Sequence, residues 1–433
     1  MSVNTLAAAG GALLSVVMLA STALAQSKEI KIGVIYDYTG AFAAGGSAAA
    51  GAGTKIAVDM INEKGGVEGY KINATYVDAQ SKTDVAINEA ERLLNNEKVD
   101  LIMGLFSSAH CVPLAAKVDA AQKFFWVNVC IATAVFKDRN LKYVFRAHVH
   151  GDQFGETACV FLGDMAKDKL KKDVKDIKVA ILYEDGPYGT GIAGTNESKC
   201  KELGIQVLLK EGYAATSTDL GAVVTKLRRL KPDVILHTGY NPDITLFLRQ
   251  AKEAGLKFDA LIGHGAGYGQ IDKLNETFGK DVNFFFNVDS APGQLLDPKT
   301  LAPGVGDLMA EVAKRYKAVT KADQLPTHVS AGFNQAWTFL NDVLPRAIKT
   351  HGGIDPEALR KSALETDIAE GGTIQGYGVK FYPPGDKLAG QNARSFPIVM
   401  QYVDAQIKVA WPTKIRTTDP VIPFPKGHAY AKE

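Results

Sequence analysis

The sequence predicts an α/β protein of two lobes, each built around a mainly parallel β-sheet. Short, wholly apolar runs alternate with segments whose apolar residues recur at helical spacing, which is the pattern of buried parallel strands joined by helices. This alternation continues to about residue 148 and begins again near residue 177. A chain of 433 residues is long enough to bury two such cores.

The composition and the first residues restrict the class of protein. The chain carries 49 Lys and Arg against 47 Asp and Glu, so it lacks the basic excess expected of a nucleic-acid-binding protein. Residues 1–25 hold an uncharged apolar run and end at Ala23-Leu24-Ala25, a small-x-small cleavage pattern. We interpret them as a secretory signal peptide. A membrane anchor is the alternative, but the run is short for a membrane span.

The first lobe is predicted to begin with a strand over residues 28–36 and a segment rich in Gly and Ala that continues into a helix. This helix is expected to end at Gly65-Gly66, because glycine readily adopts the left-handed conformation that closes a helix. The other elements of this lobe are predicted as strands over 71–77, 101–103, 124–127 and 143–147, and as helices over 85–95 and around 112–118.

The second lobe is predicted to repeat the architecture of the first without a close repeat of its residues. Its strands are expected over 177–183, 205–209, 234–237 and 260–262, and its helices over 152–165, from about 191, over 220–230 and over 243–254.

The remaining chain has too few elements for a third α/β domain, so we expect it to complete the two lobes. It contains an aromatic strand after residue 283, helices over 305–316, 328–348 and from 354, and a hairpin of 396–403 with 406–411. The resulting division gives residues 26–148 and 289–390 to lobe 1, 149–288 and 391–412 to lobe 2, and 413–433 to an extended tail.

The stretch from residue 101 to 133 contains the first candidate site. The carboxyl ends of parallel strands share one edge of a sheet, where open α/β folds bind their ligands. Ser107 and Ser108 precede a helix at that edge, so their hydroxyls and the first-turn N–H groups would suit a small anion. The next turn, Ile131 to Thr133, would lie beside them. Ser108 could equally serve only as the helix cap.

All four cysteines follow the signal peptide, in a chain expected to meet an oxidising compartment. Cys111 and Cys130 lie on adjacent turns, which favours a disulfide between them and, by elimination, another between Cys159 and Cys200. Four buried free thiols are the alternative. No CxxC or spaced His pattern indicates a metal site.

Several segments, in colinear order over nearly the whole mature chain, resemble the periplasmic solute-binding proteins of ABC importers, in the branch of the leucine/isoleucine/valine-binding protein. The resemblance implies the type I fold of two Rossmann-like lobes with three crossovers, and a periplasmic monomer without a cofactor that closes on a small ligand and delivers it to a membrane permease. The segments that carry it are IKIGVIYDYTG, VDMINEKGGVEGYKINATYVDAQSKTDVAINEAERLL, LIMGLFSSAHCVPLA, VAILYEDGPYGTG and HTGYNPDITLFLRQAKEAGL.

The resemblance also implies which residues bind the ligand. Ser108 and Thr133 match the serine and threonine that hold a ligand carboxylate in these proteins. Tyr188 and Tyr240 match two tyrosines of the second lobe, which would cover an apolar side chain and offer a hydroxyl. The alternative for each tyrosine is a structural position at the rim of the site.

Two departures from the family pattern bear on the ligand. The amino-acid binders pair the α-ammonium with a second-lobe glutamate, whereas residues 262–267 here contain no acid; the nearest candidates are His264, Asp152 and Glu184. A first-lobe tyrosine is replaced by Gly45-Gly46, which we expect to leave more room. Both departures favour an amide or a carboxylate without an amine over a branched-chain amino acid. Aromatic residues expected near such a ligand are Phe42, Phe106 and Trp126.

Two other functions have some support in the sequence. Gly189-Thr-Gly191-Ile-Ala-Gly194 has the GxGxxG spacing of a dinucleotide site, with Glu211 about 20 residues beyond. An NAD-dependent oxidoreductase is disfavoured because the first glycine should directly follow its strand, whereas residues 184–188 intervene. His110, near Ser107, is more readily a rim or capping residue than a base. A ligand-sensing receptor domain would share the fold, but no apolar run of spanning length follows residue 411.

Overall fold

The computed structural model describes residues 28–321 and 325–432. The predicted signal peptide, residues 1–25, lies outside them. Within these two ranges, no helix has the length and apolar character needed to cross a membrane. The strands are β1 (Lys28–Tyr36), β2 (Tyr70–Asp78), β3 (Leu101–Gly104), β4 (Phe124–Val127), β5 (Val144–Phe145), β6 (Lys178–Glu184), β7 (Gln206–Tyr213), β8 (Val234–Thr238), β9 (Ala260–His264), β10 (Phe286–Asp289), β11 (Ile398–Val403) and β12 (Gln406–Trp411).

The helices lie close to the predicted positions. They are α1 (Ala48–Glu63), α2 (Thr83–Asn95), α3 (Ser108–Ala120), α4 (Gly151–Met165), α5 (Pro187–Glu202), α6 (Gly221–Leu230), α7 (Asn241–Glu253), α8 (Ile271–Phe278), α9 (Val305–Thr320), α10 (Thr327–Thr338), α11 (Leu344–His351) and α12 (Pro356–Leu364).

The first sheet has five parallel strands in the order β2-β1-β3-β4-β5. Its short strands β3 and β4 are buried at every residue, as expected where helices cover both faces of a parallel sheet. The carboxyl ends of β3 and β4 therefore lie side by side and carry the two turns of the candidate site.

The second sheet has seven strands in the order β12-β11-β10-β9-β8-β6-β7. Strands β6 to β10 are parallel to their neighbours, and β11 and β12 add an antiparallel hairpin at one side. Asp404 and Ala405 have φ of 50° and 59°, as the turn of a two-residue hairpin requires. The prediction of two α/β lobes with mainly parallel sheets is confirmed.

The chain passes between the two lobes three times. It leaves the first sheet after β5, returns to the first lobe after β10, and goes back to the second sheet before β11. Three connections of this kind let two lobes open and close about a cleft.

Two helices differ from their prediction because of prolines. Helix α5 begins at Pro187, four positions before the predicted start near Gly191, since the fixed φ of proline suits a first helical turn. The predicted helix over 328–348 is widened by a π-helical turn at Phe339–Val343. Pro345 follows in the first turn of α11 and supplies no N–H to the regular ladder.

The tail after β12 packs against the second lobe. The hydroxyl of Tyr430 donates to the carbonyl of Leu248 at 2.9 Å, and the Tyr430 carbonyl accepts from the N–H of Phe258. Phe424 contacts Phe258 with 5.7 Å between ring centroids. This part of the chain therefore completes the core beneath β9.

Candidate ligand-binding site

The first wall of the site is the turn between β3 and α3. Ser107 is the N-cap residue of α3 and Ser108 its first residue, and both are buried. Ser108 is not a helix cap, so that interpretation is wrong; its Oγ accepts the backbone N–H of Ala132 at 3.1 Å. The hydroxyl can still donate its own proton. The N–H groups of Ser108 and Ala109 in the first turn of α3 have no acceptor within the helix, whereas those of His110 and Cys111 donate to the Ser107 carbonyl.

The second wall is the turn after β4, which ends at Thr133. The Thr133 hydroxyl donates to Asp152 Oδ1 at 2.7 Å, and the Asp152 N–H donates back to Thr133 Oγ1 at 3.1 Å. Asp152 also accepts from the Thr195 hydroxyl at 3.2 Å. These bonds join the second turn to the start of α4 and to α5, on the second-lobe side of the cleft.

A buried arginine fixes the second turn from behind. The guanidinium of Arg146 donates to the carbonyls of Cys130 and Ala132 and to Gln391 Oε1, and it lies 4.9 Å from the ring centroid of Phe136. Complete burial lowers the pKa of Arg146 to about 9. The side chain thus holds the backbone of the turn through carbonyls, with no carboxylate in the set.

The second lobe contributes two buried tyrosines. Tyr188 lies in the first turn of α5 and Tyr240 is the N-cap residue of α7; their ring centroids are 5.3 Å apart. The Tyr188 hydroxyl donates to the backbone carbonyl of His264. The Tyr240 ring contacts that of Phe42 of the first lobe, with 4.5 Å between the centroids. The two lobes therefore touch directly over the site.

A buried hydrogen-bonded chain supports Tyr240 from below. The N–H of Tyr240 donates to Asp243 Oδ1 at 2.9 Å, and the hydroxyl of Tyr213 donates to Asp243 Oδ2 at 2.8 Å. Tyr213 is bonded to His237, which in turn bonds Tyr268. Burial raises the pKa of Asp243 to about 7. The position of the Tyr240 ring thus depends on side chains of the second lobe.

A small cavity of about 30 Å³ lies between these walls. The apolar and aromatic lining residues are Phe106, Val129, Ile131, Phe154, Tyr188, Tyr240 and Ala266, and the polar or flexible ones are Ser108, His148, Gly265, Asp289 and His328.

Residues 29–394 match the model of the periplasmic binding protein family. The chain belongs to this family. A relative, the Leu/Ile/Val-binding protein homolog 7 of Brucella suis biovar 1, is 32% identical over 401 residues, which cover 92% of this chain and 95% of the relative.

Solved structures of the family share the fold. A leucine-binding protein of Thermotoga maritima superposes with a TM-score of 0.72 at 22% identity, over 88% of this chain and 97% of that one. A solute-binding protein of Rhodopseudomonas palustris in complex with benzoate gives 0.71 at 15% identity, over 91% and 99%. The resemblance noted in the sequence is therefore confirmed.

The structure brings together only part of the predicted site of this periplasmic binding protein. Ser108, Ile131, Tyr188 and Tyr240 line the cavity. Four other candidates are absent from its lining: Ser107, Thr133, Asp152 and His264.

The side chains of two nearby candidates are bonded elsewhere. His264 lies 3.0 Å from the Thr238 hydroxyl through Nδ1, and burial lowers its pKa to about 4. Glu184 accepts the N–H groups of Gly186 and Gly189 at the start of α5.

The aromatic residues expected near the ligand are distributed differently. Phe106 lines the cavity, and Phe42 covers it indirectly through Tyr240. Trp126 is fully buried and donates its indole N–H to the Gln335 carbonyl at 2.9 Å, so it belongs to the core of the first lobe.

Of the glycine pair expected to leave room, Gly46 is filled by a histidine, whereas an ideal Cβ at Gly45 would lie no closer than 3.9 Å to Tyr240. Gly46 has φ of +128°, and a Cβ there would lie 2.4 Å from His328 Nδ1. His328 also contacts Phe106 at 5.1 Å between ring centroids. Burial lowers the pKa of His328 to about 4, so the ring is neutral near pH 7. The expectation of extra space at Gly46 is therefore wrong.

Sequence reasoning missed three polar lining residues, His148, His328 and Asp289. His148 lies just beyond β5, and burial is the main cause that lowers its pKa to about 3. Asp289 ends β10. Asp289 could have been found from the sequence, because an acid at the carboxyl end of a parallel strand lies at the edge of the sheet where ligands bind.

The glycines of the GxGxxG pattern lie inside α5 rather than in a loop before it. A Cβ at Gly189 would lie 2.1 Å from the Glu184 carbonyl oxygen. This glycine therefore permits close packing of α5 on β6, and the N–H groups near it are bound by Glu184.

Both expected disulfides are present. Cys111 pairs with Cys130, with 6.4 Å between their Cα atoms, and Cys159 pairs with Cys200 at 5.1 Å. The first joins α3 to the turn after β4, and the second joins α4 to α5. Across residues 28–321 and 325–432, no group of His, Cys, Asp and Glu has the arrangement of a metal site.

Proposed function

We propose that this protein is the exported substrate-binding component of an ABC importer. It captures a small amino-acid-like, amide or carboxylate ligand between its lobes and presents the closed form to a membrane permease. Its function is binding and closure, with no bond chemistry. Family membership supports the binding role, and the predicted signal peptide supports a periplasmic location. We expect the chain to act as a monomer.

One observation carries the proposal: a single cavity between the lobes is lined by residues of both. Ser108 and Phe106 come from the first lobe, and Tyr188 and Tyr240 from the second. The contact between Phe42 and Tyr240 closes the cavity on one side. A ligand enclosed in this way exchanges only when the lobes separate, as a carrier that picks up and releases its cargo requires.

The walls suit a ligand with one anionic or amide end and an apolar body. The Ser108 hydroxyl and the first-turn N–H groups of α3 are donors to a carboxylate or carbonyl oxygen. Phe106, Tyr188 and Tyr240 offer aromatic surfaces to the rest of the molecule. Thr133 acts from behind this wall, by fixing the second turn through Asp152.

A thermal-shift panel on the purified mature chain tests the proposal. The panel contains L-amino acids, short amides, and aromatic and aliphatic carboxylates. We expect at least one compound to raise the melting temperature and to bind with 1:1 stoichiometry in calorimetry. Absence of any stabilising compound across the three classes would contradict the assignment.

A pair of tyrosine variants tests whether the ligand binds in this cavity. Tyr240→Ala should abolish the shift, because it removes the aromatic cover of the ligand. Tyr316→Ala, on α9 and outside the cavity lining, should leave the shift intact. Equal binding by wild type and Tyr240→Ala would show that the ligand binds elsewhere.

A further inference from the structure

Asp289 presents an unpaired carboxylate oxygen to the cavity. The residue ends β10, lines the cavity and is 3% exposed. Its Oδ1 accepts the N–H of Ser290 at 2.7 Å. Its Oδ2 is buried and makes no hydrogen bond of normal geometry among the described residues, although, while burial raises the pKa of the carboxyl, the nearby side-chain amide of Asn287 acts to lower it. One oxygen is therefore anchored, and the other is unsatisfied, which is costly for a buried polar atom.

Surrounding side chains hold this carboxylate in place. The Ser290 hydroxyl accepts from Gln375 Nε2 at 2.8 Å, and Gln375 Oε1 accepts from the Tyr377 hydroxyl at 2.6 Å. Tyr377 also bonds His148 at 3.0 Å, which is another lining residue of the cavity. Asp289 is thus positioned by a connected network, as a preorganised binding group would be.

Within residues 28–321 and 325–432, no Lys, Arg or His forms a hydrogen bond or ion pair with the unpaired oxygen. Both Asp289 Oδ2 and the His328 ring approach Gly269 to within 3.3 Å of its ideal Cβ position. Burial lowers the pKa values of His328 and His148 to about 4 and 3, so both rings are neutral near pH 7. The guanidinium of Arg146 donates to the carbonyls of the second turn and to Gln391.

We propose that Asp289 binds a protonated amino group of the ligand, which selects an amine-bearing carboxylate from the ligand classes considered above. This inference rests on the proposed function. The carboxylate of the ligand would face Ser108 and the start of α3, and its ammonium would face Asp289 Oδ2. Between the two poles lie the aromatic walls of Phe106 and Tyr240, which line the same cavity. A zwitterionic amino acid has this pattern.

The proposal reverses the ligand preference drawn from the sequence. The segment around His264 has no acid, and a buried ammonium without a carboxylate would be unfavourable. The structure supplies the acid from the neighbouring strand, since Val288 of β10 pairs with His264 of β9. The carboxylate therefore lies at the same edge of the sheet as the acid expected near His264, but on a different strand.

Matched pairs of compounds test the role of the amino group. L-leucine is compared with 4-methylpentanoate, and L-phenylalanine with 3-phenylpropanoate, by calorimetry at pH 7.5. We expect an amino acid to bind at least about tenfold more tightly than its deaminated partner, because a charge-assisted hydrogen bond is lost.

The isosteric variant Asp289→Asn tests the residue itself. It keeps an oxygen to accept the Ser290 N–H and should lower the affinity for the bound amino acid by about 10- to 150-fold. The affinity for the deaminated acid should change little. The control Asp233→Asn removes a carboxylate that is paired with Lys172 and Lys432 before β8 and should leave both affinities unchanged. Unaltered melting of Asp289→Asn without ligand shows that the variant folds.

The possible failures are distinguishable. Equal or tighter binding of the deaminated acids by the wild type would overturn the role of Asp289 and leave the proposed binding function standing. Full retention of amino-acid affinity by Asp289→Asn would overturn it as well. If no amino acid, amide or carboxylate of the thermal-shift panel binds, both the inference and the proposed function fail.

Discussion

Phe42 and Tyr240 contact each other across the cleft, with 4.5 Å between their ring centroids and 49° between the ring planes. Phe42 precedes the π-helical turn that leads into α1 of the first lobe, whereas Tyr240 begins α7 of the second. The pair exists only when the lobes are closed. Its interaction energy therefore contributes to the closed form and not to the fold of either lobe alone.

Removing this contact should weaken ligand binding without unfolding the protein. An aromatic pair is worth about 0.5–1.5 kcal/mol beyond its buried area, so Phe42→Ala should raise the dissociation constant about 2- to 12-fold, as measured by calorimetry. Tyr38→Ala, on the preceding turn, is the control because Tyr38 is 37% exposed and outside the cavity lining. An unchanged dissociation constant for Phe42→Ala would mean that the contact does not stabilise closure.

The two hydroxyls predicted to hold a carboxylate should behave differently. Ser108→Ala should cost about 1–3 kcal/mol of binding, because Ser108 lines the cavity. Thr133→Val should mainly lower the free energy of unfolding, because its hydroxyl is bonded to Asp152. Calorimetry and urea unfolding of both variants measure the two effects. A larger loss of affinity in Thr133→Val would place its hydroxyl on the ligand.

Binding of an amine should depend on pH through Asp289. Burial raises the pKa of this carboxyl from its usual 3.8 to about 7 in the ligand-free protein. Burial depresses the pKa values of the surrounding His148, His264 and His328 to between about 3 and 4. Burial also raises the pKa of Asp243, below Tyr240, to about 7, so comparison of the wild type with Asp289→Asn assigns the pH effect. Tyr188, Tyr377 and Tyr402 are also close, and burial raises their pKa values.

The sign of the effect follows from linkage. An ammonium binds the ionised form, so binding below about pH 7 releases a proton from Asp289. As pH increases towards this value, the affinity for an amino acid should increase by up to about tenfold per pH unit. Above this value the affinity should become constant. Without ligand, the raised pKa of Asp289 also affects the stability of the fold. Its contribution to the free energy of unfolding is fully present below pH 3.8 and is lost as pH rises towards about 7, because the carboxyl ionises more readily in the unfolded chain. Calorimetry in buffers of different ionisation enthalpy measures the proton release, and a pH-independent affinity would contradict it.

Replacing Arg146 should destabilise the fold more than a surface substitution. Arg146→Met leaves the carbonyls of Cys130 and Ala132 and the amide of Gln391 without their donor. The loss of about 1–3 kcal/mol for each buried unsatisfied group predicts a decrease of about 3 kcal/mol or more in the free energy of unfolding. Urea unfolding without ligand checks this, with the exposed Arg416→Met as the control. A change below about 1 kcal/mol would show that the turn does not need this anchor.

The disulfide of the second lobe should affect stability but not affinity. Cys159 and Cys200 are separated by 41 positions, and removing a crosslink around a loop of this size costs about 2–5 kcal/mol. The double variant Cys159→Ala/Cys200→Ala should therefore melt at a lower temperature and still bind ligand with the wild-type dissociation constant. A lower affinity at a temperature where the variant is folded would contradict the separation of the two effects.

The strands and helices of the two lobes could be predicted from the sequence because the patterns that indicate them are local. Wholly apolar runs such as residues 124–127 identify buried strands, and helical spacing identifies the segments between them. The prolines at Pro187 and Pro345 shifted or widened helices, since their effect depends on where the first turn forms.

The site was predictable only where one strand end indicated it. Ser108, Ile131, Tyr188 and Tyr240 follow from strand ends and a family resemblance. Asp289 ends a strand and could have been placed by the same rule. His328 could not be placed, because it reaches the cavity through the crossovers and the closure of one lobe on the other. Such contacts join distant parts of the chain and leave no periodic pattern.

The close fit of His328 against Gly46 links two positions that belong to different parts of the chain. Any side chain at position 46 would collide with the imidazole, and a smaller residue at 328 would leave a hole beside Phe106. Neither position can change alone without harm, so an evolving binding protein must alter them as a pair. A new substrate preference in this pocket would then require two coordinated substitutions, which makes the present preference resistant to single mutations.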